Sequence, residues 1–208
     1  MEIFKTFKYQ SLPKNNPYAP EWDLNINEFR LPDKFCNELK KVLEETIDIK
    51  SSWKTYNIFA INSPIIDDLK LHIKNILPHY KNTEDLWING WINYQTKEES
   101  VRLHNHAIHN NSYLSGTLCL TRRKDVFTKF HIPILSNNPE YGPLSFPSLK
   151  GRMVIFPSYI PHEVTPIPYG DRISIGFDLL PDQAITYFKR NSNNNEDPLF
   201  RAIPFNYN

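Results

Sequence analysis

The stretch RLHNHAIHNNSY, residues 102 to 113, gathers three of the chain's seven histidines, His104, His106 and His109, into six residues. Along an extended strand, residues two apart project from the same face, so His104 and His106 deliver two imidazoles to one point. His109 is out of phase with that pair and stands in an Asn-rich turn, where it reads as a polar loop residue. A third imidazole is offered by His162, in FPSYIPHEV, after the strand-like RMVIF. Neutral imidazole suits iron, zinc, copper or nickel, so the ligand set alone does not choose the metal. The histidine stretch holds no carboxylate, which is unusual for a hard-metal site.

Ten residues beyond His162 comes Arg172, in DRISIGF. Arg172 and Ser174 share one face of a predicted strand, and a guanidinium beside a hydroxyl is suited to gripping a carboxylate in a buried place. A metal ligand followed by a carboxylate clamp implies an acid that reaches the metal. The other histidines give no such pattern. His72 and His79 lack a nearby partner of metal-ligand type and read as surface or boundary residues, and His131, in KFHIPIL, reads as structural or as part of a substrate rim. Trp87 and Trp91 read as core.

The elements that must position these groups fall into two kinds. In LPDKFCNELKKVLEETIDIK, Phe35, Leu39, Val42 and Leu43 recur at helical spacing behind Pro32 and Asp33. In NSPIIDDLKLHIKNILPHY, Ser63 and Pro64 mark a helix start, Ile66, Leu69, Ile73, Ile76 and Leu77 form one face, and Pro78 ends it. From Trp87 onward the chain breaks into short segments rich in β-branched and aromatic residues, separated by Gly, Pro, Asn and Asp. Such spacing predicts a sandwich or barrel. Gly151, before RMVIF, predicts a tight turn, and TRRK at 121 to 124 a turn with solvated charges. The proline-rich first thirty residues predict an extended arm, and KRNSNNNEDP a polar loop before a docking tail.

Composition sets outer bounds. At 208 residues, 40% hydrophobic and with a formal net charge of +1, the chain is read as one domain: an arm and supporting helices over 1–84, a β core over 85–182 and a tail over 183–208. Near-neutral charge gives no reason to expect nucleic acid as a partner. No apolar run approaches the length of a membrane span, and MEIFKTFKYQ lacks the apolar core of a signal peptide. Cys36 and Cys119 are expected as two buried thiols and the setting as cytoplasmic.

Taken together, Trp91 to Asn93, His104 to His106, Leu114 to Gly116, Phe156 to Ser158, His162 and Arg172 to Ser174 resemble the motif order of the 2-oxoglutarate and Fe(II)-dependent oxygenases. The resemblance covers roughly residues 85 to 180 and is nearest to small stand-alone bacterial and phage members. It implies a mainly β fold with N-terminal helices, a double-stranded β-helix of the jelly-roll or cupin kind. Fe(II), 2-oxoglutarate and O2 would be the cofactors, and hydroxylation of a small molecule or peptide the default reaction. His104 and His162 would ligate the iron. Arg172, supported by Ser174, would pair with the distal carboxylate of 2-oxoglutarate, and Asn93 or Tyr94 would hydrogen-bond the same cosubstrate.

Residue 106 departs from the pattern. Most of the superfamily has Asp or Glu there, and an imidazole instead removes one negative charge from the centre. His106 is either the third ligand, or displaced from an open two-ligand site, or part of a site for another metal or none. Two rival functions fit the same residues. One is a three-histidine cupin-type dioxygenase that does not use 2-oxoglutarate, with Arg172 clamping substrate; the other is a non-enzymatic ligand-binding jelly roll.

Overall fold

Polar and apolar residues alternate from Arg172 to Leu179, and the strand they form, β10 (Arg172–Pro181), is buried on both faces for nearly its whole length. In the computed structural model, which describes residues 3–10, 23–51, 55–80, 85–106, 113–132, 144–191 and 201–205, it lies inside the larger of two antiparallel sheets. The other strands are β1 (Ile3–Gln10), β2 (Asp23–Arg30), β3 (Leu86–Gln95), β4 (Val101–His104), β5 (Leu114–Cys119), β6 (Arg123–Phe130), β7 (Leu144–Ser148), β8 (Arg152–Pro157), β9 (His162–Val164) and β11 (Ile203–Phe205). The large sheet runs β1-β2-β8-β5-β10-β3-β11 and the small one β4-β9-β6-β7. This is the expected jelly roll.

Two cores flank the large sheet. On its outer face, Ile173, Ile175, Phe177 and Leu179 of β10 join Ile92 and Leu118 against two helices, α1 (Asp33–Thr46) and α2 (Pro64–Lys74). Leu39 and Leu43 of α1 and Ile66, Leu69 and Ile73 of α2 are buried there, as their spacing predicts, and Pro64 occupies the first turn of α2. Between the sheets, Ile26, Val154 and Phe156 meet Phe130 and Phe146. Cys36 and Cys119 are buried free thiols.

The chain's two ends carry more regular structure than the sequence expectation. The expected extended arm is built into the sheet: residues 23–30 form β2, which pairs with β8 and carries the edge strand β1. Buried Glu28 explains the docking, since Arg30 lies 2.7 Å from its carboxylate and Arg152 of β8 lies 2.8 Å away. At the other end, a third helix, α3 (Asp182–Asn191), stands where a polar tail is expected. Its Ala184 and Ile185 pack on Leu180 and Ala202, with Trp87 alongside, and Asp182 accepts a 2.9 Å bond from the Trp87 indole. Arg123 opens β6 instead of sitting in a turn, with its guanidinium over the Tyr169 ring. No helix among the described residues is long and apolar enough to cross a membrane.

Gly151 turns the chain between β7 and β8 with a φ of +77°, and a Cβ there would lie 2.2 Å from the carbonyl oxygen of Leu31. Its amide donates to Cys119 and its carbonyl accepts from Leu31, so the turn cannot slide. Gly151→Ala is expected to cost on the order of 3 kcal/mol through left-handed strain and overpacking. Urea unfolding checks this, and a loss below about 1 kcal/mol would contradict it.

Candidate active site

His104 ends β4 and His162 begins β9, and the two are direct cross-strand partners with ring centroids 4.3 Å apart. His106 lies two residues past His104, so the strand's period returns it to the same place; its ring centroid is 5.1 Å from each of the other two. The three offer ligand atoms that all lie within 4.8 Å of one another. His109 lies outside the described residues.

Which nitrogen each ring presents is fixed by what the other nitrogen holds. Nδ1 of His104 lies 2.7 Å from the Arg102 carbonyl oxygen, Nδ1 of His162 lies 3.0 Å from that of Ile160, and Nδ1 of His106 lies 2.7 Å from Asp178 Oδ1. Each acceptor takes an N–H, which leaves Nε2 of every ring with its lone pair toward the cluster. Nε2 of His104 and of His106 are only 3.1 Å apart. Two lone pairs at that distance repel unless a proton or a metal cation lies between them. Two metal–nitrogen bonds of about 2.1 Å meeting near a right angle span about 3 Å, so the spacing suits a shared metal ion.

Surroundings differ from ring to ring. His162 is buried, stacked against Phe130 and met edge-on by Phe156, and burial pushes its pKa down to about 3. Desolvation also lowers His104, though its outer edge is open to solvent. Both are therefore neutral, the form that binds metal. Burial acts on His106 in the same sense, but the Asp178 carboxylate more than offsets it and its pKa is raised. Trp91 stacks on His106 with centroids 5.5 Å apart, and a Cβ at Gly176, its cross-strand partner, would fall 2.8 Å from the indole.

A second cluster lies further along β10. Arg172 is 1% exposed, and its guanidinium donates to Ser148 Oγ at 2.9 Å, Gln95 Oε1 at 2.7 Å and Ser174 Oγ at 2.8 Å. All three partners are neutral, the buried Cys119 side chain is a further hydrogen-bond partner, and among the described residues no carboxylate is paired with Arg172. Beside it, Gln95 Nε2 is a buried donor without an acceptor among the described residues. Opposite residues of β10 and β3 run Arg172/Gln95, Ser174/Asn93, Gly176/Trp91 and Asp178/Asn89, so the anion-seeking end shares one face of the large sheet with Trp91 and Asp178, which touch His106, while the imidazoles themselves come from the small sheet opposite.

No protein-family model matches the chain, and no curated protein matches it. Solved structures do. The viral collagen prolyl hydroxylase of Paramecium bursaria Chlorella virus 1, in its 2OG complex, superposes with a TM-score of 0.56 at 12% identity, over 75% of this chain and 96% of that one. A Pseudomonas putida prolyl-4-hydroxylase gives 0.55 at 14% identity, covering 75% and 92%. HygX of Streptomyces hygroscopicus, with nickel and 2-oxoglutarate bound, gives 0.53 at 15% identity, covering 76% and 82%. The chain has the fold of the 2-oxoglutarate and Fe(II)-dependent oxygenases.

Within this oxygenase fold, the structure brings together His104, His106 and His162, and separately Arg172 and Ser174. Asn93 faces the same side as Ser174, its register partner. Tyr94, one residue on, is a correction: it projects to the outer face, packs against the helix-side core and lies under Lys50, away from Arg172. His131, just past the end of β6, sits beside Glu163 of β9, its Nε2 3.2 Å from the carboxylate, and both side chains are partly exposed. Sequence reading missed Gln95, Ser148 and Asp178. The signal for two of them was present, since Gln95 is in phase with Asn93 and Asp178 with Arg172 and Ser174.

Gly176 carries a testable link between backbone and site. In Gly176→Ala, the new methyl group must displace the indole on which His106 rests. Affinity for Co(II) or Zn(II) is expected to fall about tenfold, with a stability loss of about 1–3 kcal/mol. Metal titration and thermal unfolding check both, and unchanged affinity would show that Trp91 does not hold the ring.

Proposed function

We propose that the protein is a 2-oxoglutarate- and Fe(II)-dependent dioxygenase that hydroxylates a small molecule or peptide. The observation that carries this reading is the buried guanidinium of Arg172, with no carboxylate in ion-pair distance among the described residues, on the same face of the large sheet as Trp91 and Asp178, the two groups that meet His106 of the imidazole cluster. A buried cation without an anion is costly. A bound carboxylate answers it and gives the spare N–H of Gln95 an acceptor as well. Four residue steps of β10 lead from Arg172 to Gly176, about 13 Å of strand, with Ser174 and its cross-strand partner Asn93 along the way. The long Arg172 side chain would have to cover part of that stretch for a diacid to meet the guanidinium at one end and the imidazoles at the other.

His104, His106 and His162 would hold the metal through Nε2. Fe(II) bound there would supply oxygen activation, and 2-oxoglutarate the electrons, leaving as succinate and carbon dioxide. Arg172 and Ser174 fix the distal carboxylate, and Asn93 is placed to hydrogen-bond the same molecule. Phe130 and Phe156 keep water from the back of His162. His104 stands at the open side, where a substrate C–H bond can be presented. Prolyl hydroxylases among the similar structures support hydroxylation as the outcome. A cytoplasmic setting fits the two free thiols.

The test is spectroscopic first. Anaerobic Fe(II) protein, on addition of 2-oxoglutarate, should develop the weak visible charge-transfer band of the chelate, and air should then yield succinate. Arg172→Gln should raise the 2-oxoglutarate concentration for half-saturation by roughly 30-fold or more, the loss expected when a buried charge contact is truncated. Metal bound without any band at saturating 2-oxoglutarate would overturn the reading in favour of a three-histidine dioxygenase that binds substrate directly.

A further inference from the structure

The centre's missing carboxylate has a counterpart behind it. Asp178 is 6% exposed, and its Oδ1 receives the Nδ1–H of His106 at 2.7 Å and the Ser115 hydroxyl at 2.6 Å. Ser115 has one proton to give, so the Ser158 hydroxyl, 3.0 Å from Ser115 Oγ, completes the chain from its other side. Among the described residues, Asp178 pairs with no Arg or Lys; His106 is its ionic partner. Ser158 further accepts the His106 amide on its carbonyl oxygen at 2.9 Å, so side chain and backbone of His106 are held by the same neighbours. Asp178 itself does not join the ligand atoms, since it grips the ring nitrogen that faces away from the cluster.

We infer that Asp178 is a positioning residue for the metal centre, holding His106 with Nε2 toward the metal and supplying through that imidazole the negative charge that a ligand carboxylate supplies elsewhere in this fold. The inference rests on the reading of His106 as a metal ligand. A carboxylate on the far nitrogen fixes the ring's tautomer and orientation and makes the opposite nitrogen a stronger donor. The geometry thus moves the charge one residue outward without removing it. Ser115 and Ser158 keep the carboxylate from turning away.

The decisive comparison is between Asp178→Asn, which can keep an acceptor in place but loses the charge, and Asp178→Ala, which loses both. Affinity for Co(II), measured by titration without cosubstrate, should fall about tenfold in the first and about 100-fold in the second. The visible Co(II) spectrum should shift in both. In the metal-free protein, the ring nitrogen resonances of His106 should report the Nδ1–H form in the wild type and a mixture in Asp178→Ala. Asp178→Glu should recover part of the affinity if charge is what matters. Wild-type affinity and spectrum in both Asn and Ala variants would overturn the inference while leaving the metal site standing. If His106→Ala binds Co(II) as the wild type does, the ligand reading falls, and this inference with it. Should Asp178→Ala fail to fold, Asp178→Asn decides alone.

Discussion

Everything at the site depends on the inner face of β10, where a guanidinium, a hydroxyl and a carboxylate are taken out of water on one strand. Such groups persist in an interior only when each has hydrogen-bonding partners. Neighbouring strands supply them residue by residue: Gln95 from β3, Ser148 from β7, Ser115 from β5. The outer face of the same strand is purely apolar and seats the helices. The helices are thus the counterweight that lets β10 hold its polar face inward.

Much of this was legible in the residues. Helix positions followed from apolar spacing and proline placement, the pairing of His104 with His106 and of Arg172 with Ser174 followed from strand phase, and His162 from its place after a predicted strand. What escaped was the partner of each polar group. Asp178 stood at the end of an alternating segment, in phase with Arg172 and Ser174, but alternation in a single strand does not say what the polar side meets across the gap between sheets. Gln95 and Ser148 are likewise ordinary polar residues until register brings them to Arg172.

The ends of the chain teach a related lesson. Residues 23–30 read as an arm because prolines dominate their vicinity, yet Glu28 commits the segment to Arg152 and to the sheet. Ala184 and Ile185 in α3 are too few to declare a helix against a polar background; the apolar surface they bury belongs to Trp87, Leu180 and Ala202, far away in sequence. In both cases the deciding contact is long-range, where local propensity is silent.

The bond between His106 and Asp178 also spans the two layers, for His106 continues from a strand of the small sheet and Asp178 belongs to the large one. It works as a clasp near the histidine cluster. If the sheets were to spread there to admit a bulkier molecule, the imidazole would be dragged with one of them and its aim at the shared point lost. Capacity for large substrates must therefore come from whatever borders the opening, while the two-layer frame around the histidines stays at fixed width.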